Sequence, residues 1–134
     1  TSSTFSNPTN VSTPQHEFLG NWINVDPEGG LTKLTISEGK NSWEIEGWGK
    51  CQPRDCDWGK VPFNLIGTSI SDKLFQIGFA SWEFEGASKV EIKSFITVKL
   101  IGEKLFVEKI TIFTDDSGRS NYRSVHLLKR ASKK

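Results

Sequence analysis

With 134 residues, 17 basic against 16 acidic side chains and a net charge of +1, the chain is long enough for one hydrophobic core and is nearly neutral. Neither sign accumulates in a long run, which argues against a nucleic-acid partner or an anionic membrane surface. No apolar stretch has the length needed to span a bilayer.

Residues 1–17 are rich in Ser, Thr, Asn and Pro and read as a flexible tether, suited to an N-terminal lipid anchor, a signal peptide or an upstream domain. Asn10-Val11-Ser12 is a glycosylation sequon, of consequence only in a eukaryotic secretory host. From residue 18 the composition changes to short runs of Val, Ile, Thr, Phe and Trp punctuated by Gly, Asp, Asn and Ser, which is strand and turn chemistry. Strands are expected at 18–25, 31–37 and 42–49, the last with Trp43 and Ile45 on one face and Glu44, Glu46 and Trp48 on the other. A further strand is expected at 60–66, where Pro62 marks an edge or a bulge. The runs 73–80 and 81–86 form one long bent strand or two short ones. The segment 90–100 places Ile92, Ile96, Val98 and Leu100 opposite Lys93, Thr97 and Lys99. Strands at 105–114 and 122–130 complete the domain, and 131–134 is a basic tail.

No run repeats apolar residues at helical spacing. About eight sequential strands on tight turns predict an all-β domain over 18–130, an antiparallel up-and-down β-barrel. A two-sheet sandwich is the competing architecture. A barrel of this size either fills itself with side chains or holds one small ligand.

Gly20-Asn21-Trp22 near the first strand, together with Arg130 at the end of the last, resembles the calycin pattern of lipocalins, avidins and small bacterial protease inhibitors. The resemblance implies that Trp22 plugs one end of the barrel while Arg130 packs over its ring, a cation–π contact contributing about 0.5–2 kcal/mol. The segment from Trp48 to Gly59, WGKCQPRDCDWG, is similar to that of a group of small bacterial exported domains. That likeness implies export and attaches no particular activity.

Cys51 and Cys56 are the only cysteines, and their spacing suits a disulfide-closed loop in an oxidising compartment: secreted, periplasmic or cell-surface. Closing so short a ring contributes about 2 kcal/mol, so the bridge shapes the loop more than it holds the fold. A metal site would need four ligands, and His16 and His126 lie far apart in sequence. Asp26, Glu28, Asp55, Asp57, Asp115 and Asp116 lack the spacing of a calcium loop, so neither metal nor cofactor is expected. Glu44 with Glu46, and Glu83 with Glu85, are better explained as solvated strand faces than as paired catalytic carboxylates. His126 has no nucleophile motif beside it, and an enzyme is not expected.

These residues point to a lipocalin-like binding module. In the first hypothesis a small apolar or amphipathic ligand enters a barrel lined by Trp43, Ile45, Phe84, Ile96 and Val98, with Trp82 also near the site. In the second, Arg54 at the tip of the Cys51–Cys56 loop engages a protein partner such as a trypsin-like protease. In the third, Trp48 and Trp58 flank that loop as a stacking platform for a glycan.

Overall fold

The computed structural model describes residues 14–67, 69, 71, 77–85, 90–114 and 118–131. The tether residues 1–13, Asp115 and Asp116, and the tail from Ser132 lie outside the described residues. A 3-10 turn, Pro14–Phe18, leads into nine strands: β1 Gly20–Asn24, β2 Leu31–Glu38, β3 Trp43–Gly49, β4 Cys56–Pro62, β5 Asn64–Ile66, β6 Ile77–Glu85, β7 Val90–Ile101, β8 Lys104–Phe113 and β9 Tyr122–Arg130. They form one antiparallel sheet in the order β4-β3-β2-β1-β9-β8-β7-β6-β5, which curls into a nearly closed up-and-down barrel. The described residues contain no α-helix, and none that could cross a membrane.

The expected strand at 60–66 is divided because the chain changes partners at Phe63. Residues Cys56–Pro62 pair with β3, and Asn64–Ile66 pair with β6 at the opposite edge of the sheet. Proline has no N–H to give a ladder, so Pro62 fits the last position before the switch. One chain segment thus lines both sheet edges, and the Trp82 indole N–H adds a bond across the gap to the Gly59 carbonyl, 2.9 Å away. The runs at 73–86 give a single strand, β6, with residues 72–76 outside the described set.

Alternation sorts each strand into wet and dry faces. On β3, Ile45, Gly47 and Gly49 are buried while Glu44, Glu46 and Trp48 are half-buried on the outer wall. On β8, Leu105, Val107, Lys109 and Thr111 all point inward. The core gathers Phe18, Trp22, Leu34, Ile36, Ile45, Ile96, Val98, Leu105, Val107 and Leu128, each at most 1% exposed.

One end of this core is plugged. The Trp22 indole N–H donates to the Phe18 carbonyl at 2.9 Å, drawing the 3-10 turn across the opening. The Arg130 guanidinium lies 4.2 Å from the centroid of the Trp22 ring and donates to the carbonyls of Leu19 (2.9 Å) and Glu17 (2.6 Å). Those carbonyls have no ladder partner at a chain entry, so a five-donor side chain suits the position. The ordered unit therefore includes Pro14–Glu17, which the sequence assigns to the tether. Trp43 belongs to this end too, its ring stacked on Phe63 at 6.4 Å and tilted against His16 at 5.7 Å.

Candidate functional site

The opposite end is organised by Trp58. Its position on β4 faces inward, and the indole lies across β3, where a side chain would normally stand. A methyl group on Gly47 or Gly49 would sit 2.7 Å from atoms of that ring, so glycine at both positions is a packing requirement. Trp58 meets Trp82 edge-on at 5.3 Å and Phe84 at 6.0 Å, geometries that aromatic quadrupoles favour. The next residue, Gly59, adopts φ +91°, a conformation open to glycine. Its N–H is capped by Asp57 Oδ1 at 2.9 Å, and its carbonyl receives the Trp82 indole. The Asp57-Trp58-Gly59 triplet thus acts as a device that turns an indole into the barrel mouth.

Beneath Trp58 the end of the barrel is an open recess above the filled core. A cavity of about 590 Å³ opens between β3–β4 and β6–β9, with apolar walls of Trp58, Phe84, Ile92 and Phe113. Its deep end is polar: Ser94, Lys109 and Thr111 are 2%, 9% and 3% exposed. Register fixes their depth. Ser94 pairs with Thr111 and Ile96 with Lys109, so this layer sits directly on the closed core at Ile96 and Val107. The rim carries the Cys51–Cys56 disulfide, Lys50, Arg119 and Tyr122.

Lys109 is the chemically unusual residue of the mouth. Its Nζ donates to Thr111 Oγ1 at 2.8 Å and lies 5.6 Å from the Trp58 ring centroid and 5.5 Å from that of Tyr122. Among the described residues no carboxylate pairs with it. Burial lowers its pKa from the ordinary lysine value, and Tyr122 opposes this in part. Beside it on β9, His126 is also held below its ordinary value, first by burial and then by the Lys109 charge. Asn24 Oδ1 accepts from the Asp26 N–H and Asn24 Nδ2 donates to the Leu31 carbonyl, which fixes the amide orientation. Nδ2 is then the donor to His126 Nδ1 at 3.2 Å, so the neutral imidazole carries its proton on Nε2, facing Ser124 Oγ at 3.0 Å. In that tautomer His126 donates to Ser124 and has no lone pair to take its proton.

The residues singled out from sequence are dispersed rather than gathered. Trp58 lines the cavity, and Trp82, 2% exposed, backs it from within the core. Arg54 is exposed on the loop. Trp48 lies on the outer wall with the Lys33 ammonium 4.2 Å over its ring, whereas Trp58 points inside. The two indoles share no face and form no common stacking platform. Trp43 sits at the plugged end. Of the expected cavity lining only Phe84 is found there, because Ile45, Ile96 and Val98 are consumed by the closed core. Glu46, expected to share a solvated face with Glu44, lies beside Asp57, and burial followed by that neighbour raises its pKa.

No family model matches the chain, and no match was found among curated proteins or solved structures. The geometry of the mouth therefore carries the functional argument by itself.

Lys109, Ser94 and Thr111 escape a motif search, yet a signal for them exists. Each stands in phase with the apolar face of its own strand: Ser94 between Ile92 and Ile96, and Lys109 and Thr111 after Leu105 and Val107. Polar residues on a dry parity in two adjacent strands mark the layer where core gives way to cavity.

Proposed function

We propose that this protein is an exported, non-catalytic binding module, lipocalin-like in its use of the barrel, that takes a small amphipathic ligand at the open mouth. The observation that carries this reading is the cavity of about 590 Å³ with aromatic and aliphatic walls above a few convergent polar groups, the usual make-up of a small-molecule site. The Cys51–Cys56 bridge supports a secreted, periplasmic or surface location. The His126 tautomer supports a non-catalytic role, since the one serine within its reach lacks a base.

The test is titration with the neutral fluorophore N-phenyl-1-naphthylamine, whose emission rises in apolar surroundings. Saturable binding at one site is expected, lost in Ile92→Trp, which fills the mouth. Absence of saturable binding, or binding indifferent to Ile92→Trp, would overturn the reading.

A second reading has one observation in its favour. Arg54 is exposed on a loop closed by a disulfide, a shape suited to docking in a protein partner such as a trypsin-like protease. Inhibition of trypsin that disappears in Arg54→Ala would establish it, and no inhibition at high micromolar concentration would dismiss it.

A further inference from the structure

We propose that the ligand of the barrel mouth is an anionic amphiphile whose carboxylate is held by Lys109; the inference rests on the binding-module reading and specifies the head group.

An ammonium withdrawn from water is unfavourable unless paired. Lys109 is 91% buried by its 9% exposure, and its described partners are the hydroxyls of Thr111 and Tyr122 and the two aromatic rings, with no carboxylate among them. The Thr111 and Tyr122 hydroxyls occupy two of the three ammonium donors, which leaves one for an incoming oxygen. The surrounding arrangement is selective for charge. Ser94 pairs with Thr111 in the same layer and adds a second short hydroxyl to the cavity lining. His126 lies close enough for the Lys109 charge to depress its pKa, so a second cation would be opposed there. At the rim the Lys50 ammonium is engaged by Glu28 and the Pro27 carbonyl, and Asp57 Oδ1 by the Gly59 N–H, so Lys109 is the cation that faces the deep end.

The apolar end of such a ligand has its own complement. Trp58 and Phe84 meet edge-on above the ammonium, and Ile92 and Phe113 pair across β7 and β8 toward the opening. A carboxylate at the deep end with a hydrocarbon or ring system running to the mouth satisfies both layers. A neutral alcohol would satisfy only the second, and leave the ammonium without a counter-charge.

The experiment compares decanoate with decan-1-ol, of matched chain length, by tryptophan fluorescence titration of the intact protein and of Lys109→Met. Of the five tryptophans, Trp58 stands in the cavity wall and supplies the ligand-sensitive part of the signal. Decanoate is expected to bind roughly tenfold or more tighter than decan-1-ol, because charge-assisted bonds to a buried group are the strong ones. That advantage is expected to shrink to about threefold or less in Lys109→Met, with decan-1-ol binding kept or improved. Thr111→Val, which preserves the charge, is expected to retain most of the preference. Equal binding of both probes, with no effect of Lys109→Met, overturns the anionic proposal and leaves the binding module standing. Binding of neither probe overturns both.

Discussion

The two ends of the barrel solve the same problem in opposite ways. A rolled sheet leaves two openings through which water reaches the core. At one end, the 3-10 turn Pro14–Phe18, Trp22 and Arg130 form a plug whose central polar groups are partnered: indole to carbonyl, guanidinium to two carbonyls and a ring face. At the other end Trp58 is laid flat across two glycines, and the layer below it holds a lysine, a serine and a threonine around a void. The plugged end has the composition of a stability element. The open end combines a cavity with a buried charge, both unfavourable for folding, which is the pattern expected where function rather than stability sets the residues.

The comparison makes unequal demands on mutants. Trp22→Ala removes a side chain that is fully buried and leaves both Arg130 and the 3-10 turn without their ring. It should cost about 3–5 kcal/mol in urea denaturation. A loss below about 1 kcal/mol would show that the plug does not hold the barrel. Gly47→Ala comes next: its methyl meets Trp58 at 2.7 Å, and the ring must move or the strands must part, costing about 1–3 kcal/mol. Gly30→Ala, with nothing within 4 Å, is the matched control. Equal effects of the two would remove the argument that Trp58 is seated by glycine.

The disulfide belongs to the open end, and its removal should be felt less in stability. Replacing Cys51 and Cys56 together by Ser opens a ring of sequence separation 5, for a loss of no more than about 2 kcal/mol. Probe affinity should fall at the same time, since the bridge forms part of the rim. Calorimetry with and without reductant separates the two effects. A melting shift as large as that of Trp22→Ala would mean that the loop, not the plug, secures the fold.

How much of this was legible in the sequence differs between the ends in the same way. Strand periodicity gave the all-β class and nearly every strand, because turns and alternation are local. The contact of Arg130 with Trp22 was an expectation only through the likeness of Gly20-Asn21-Trp22 and Arg130 to the calycin pattern, and β1 and β9 pair with Trp22 opposite Arg130. The division at Phe63 was not, because a strand that changes partners keeps its local pattern throughout. Nor was the placement of Trp48 and Trp58 on opposite faces. Their symmetric flanking of the cysteine loop suggests a pair, but a register shift between Gly47 and Trp48 and the positive φ of Gly59 separate them. The polar layer is hidden for a different reason: a lysine among alternating residues looks like the wet face unless its parity is compared with Leu105 and Val107.

The smallest expected effect is the sharpest test, because it separates Lys109 the structural residue from Lys109 the ligand-binding one. Burial lowers the pKa of His126 below 6.5 and that of Lys109 below 10.5. Between the folded and unfolded values of each group, the unfolded chain binds a proton that the folded chain does not, so stability rises with pH across both windows. The wild-type protein should therefore weaken as pH falls below about 6.5, and strengthen slightly as pH rises towards 10.5. Lys109→Met fills the same space with an apolar chain, so at neutral pH it should be as stable as wild type or more so, by about 1 kcal/mol, and the alkaline rise should vanish. With the neighbouring charge gone, the His126 pKa measured by imidazole NMR should move up, though not fully to 6.5, since burial is the larger cause. If Lys109→Met is instead less stable by more than about 1 kcal/mol, the lysine contributes to the fold through Thr111 and the aromatic rings. The two ends would then be alike, and the open mouth would lose its claim to be shaped for a ligand.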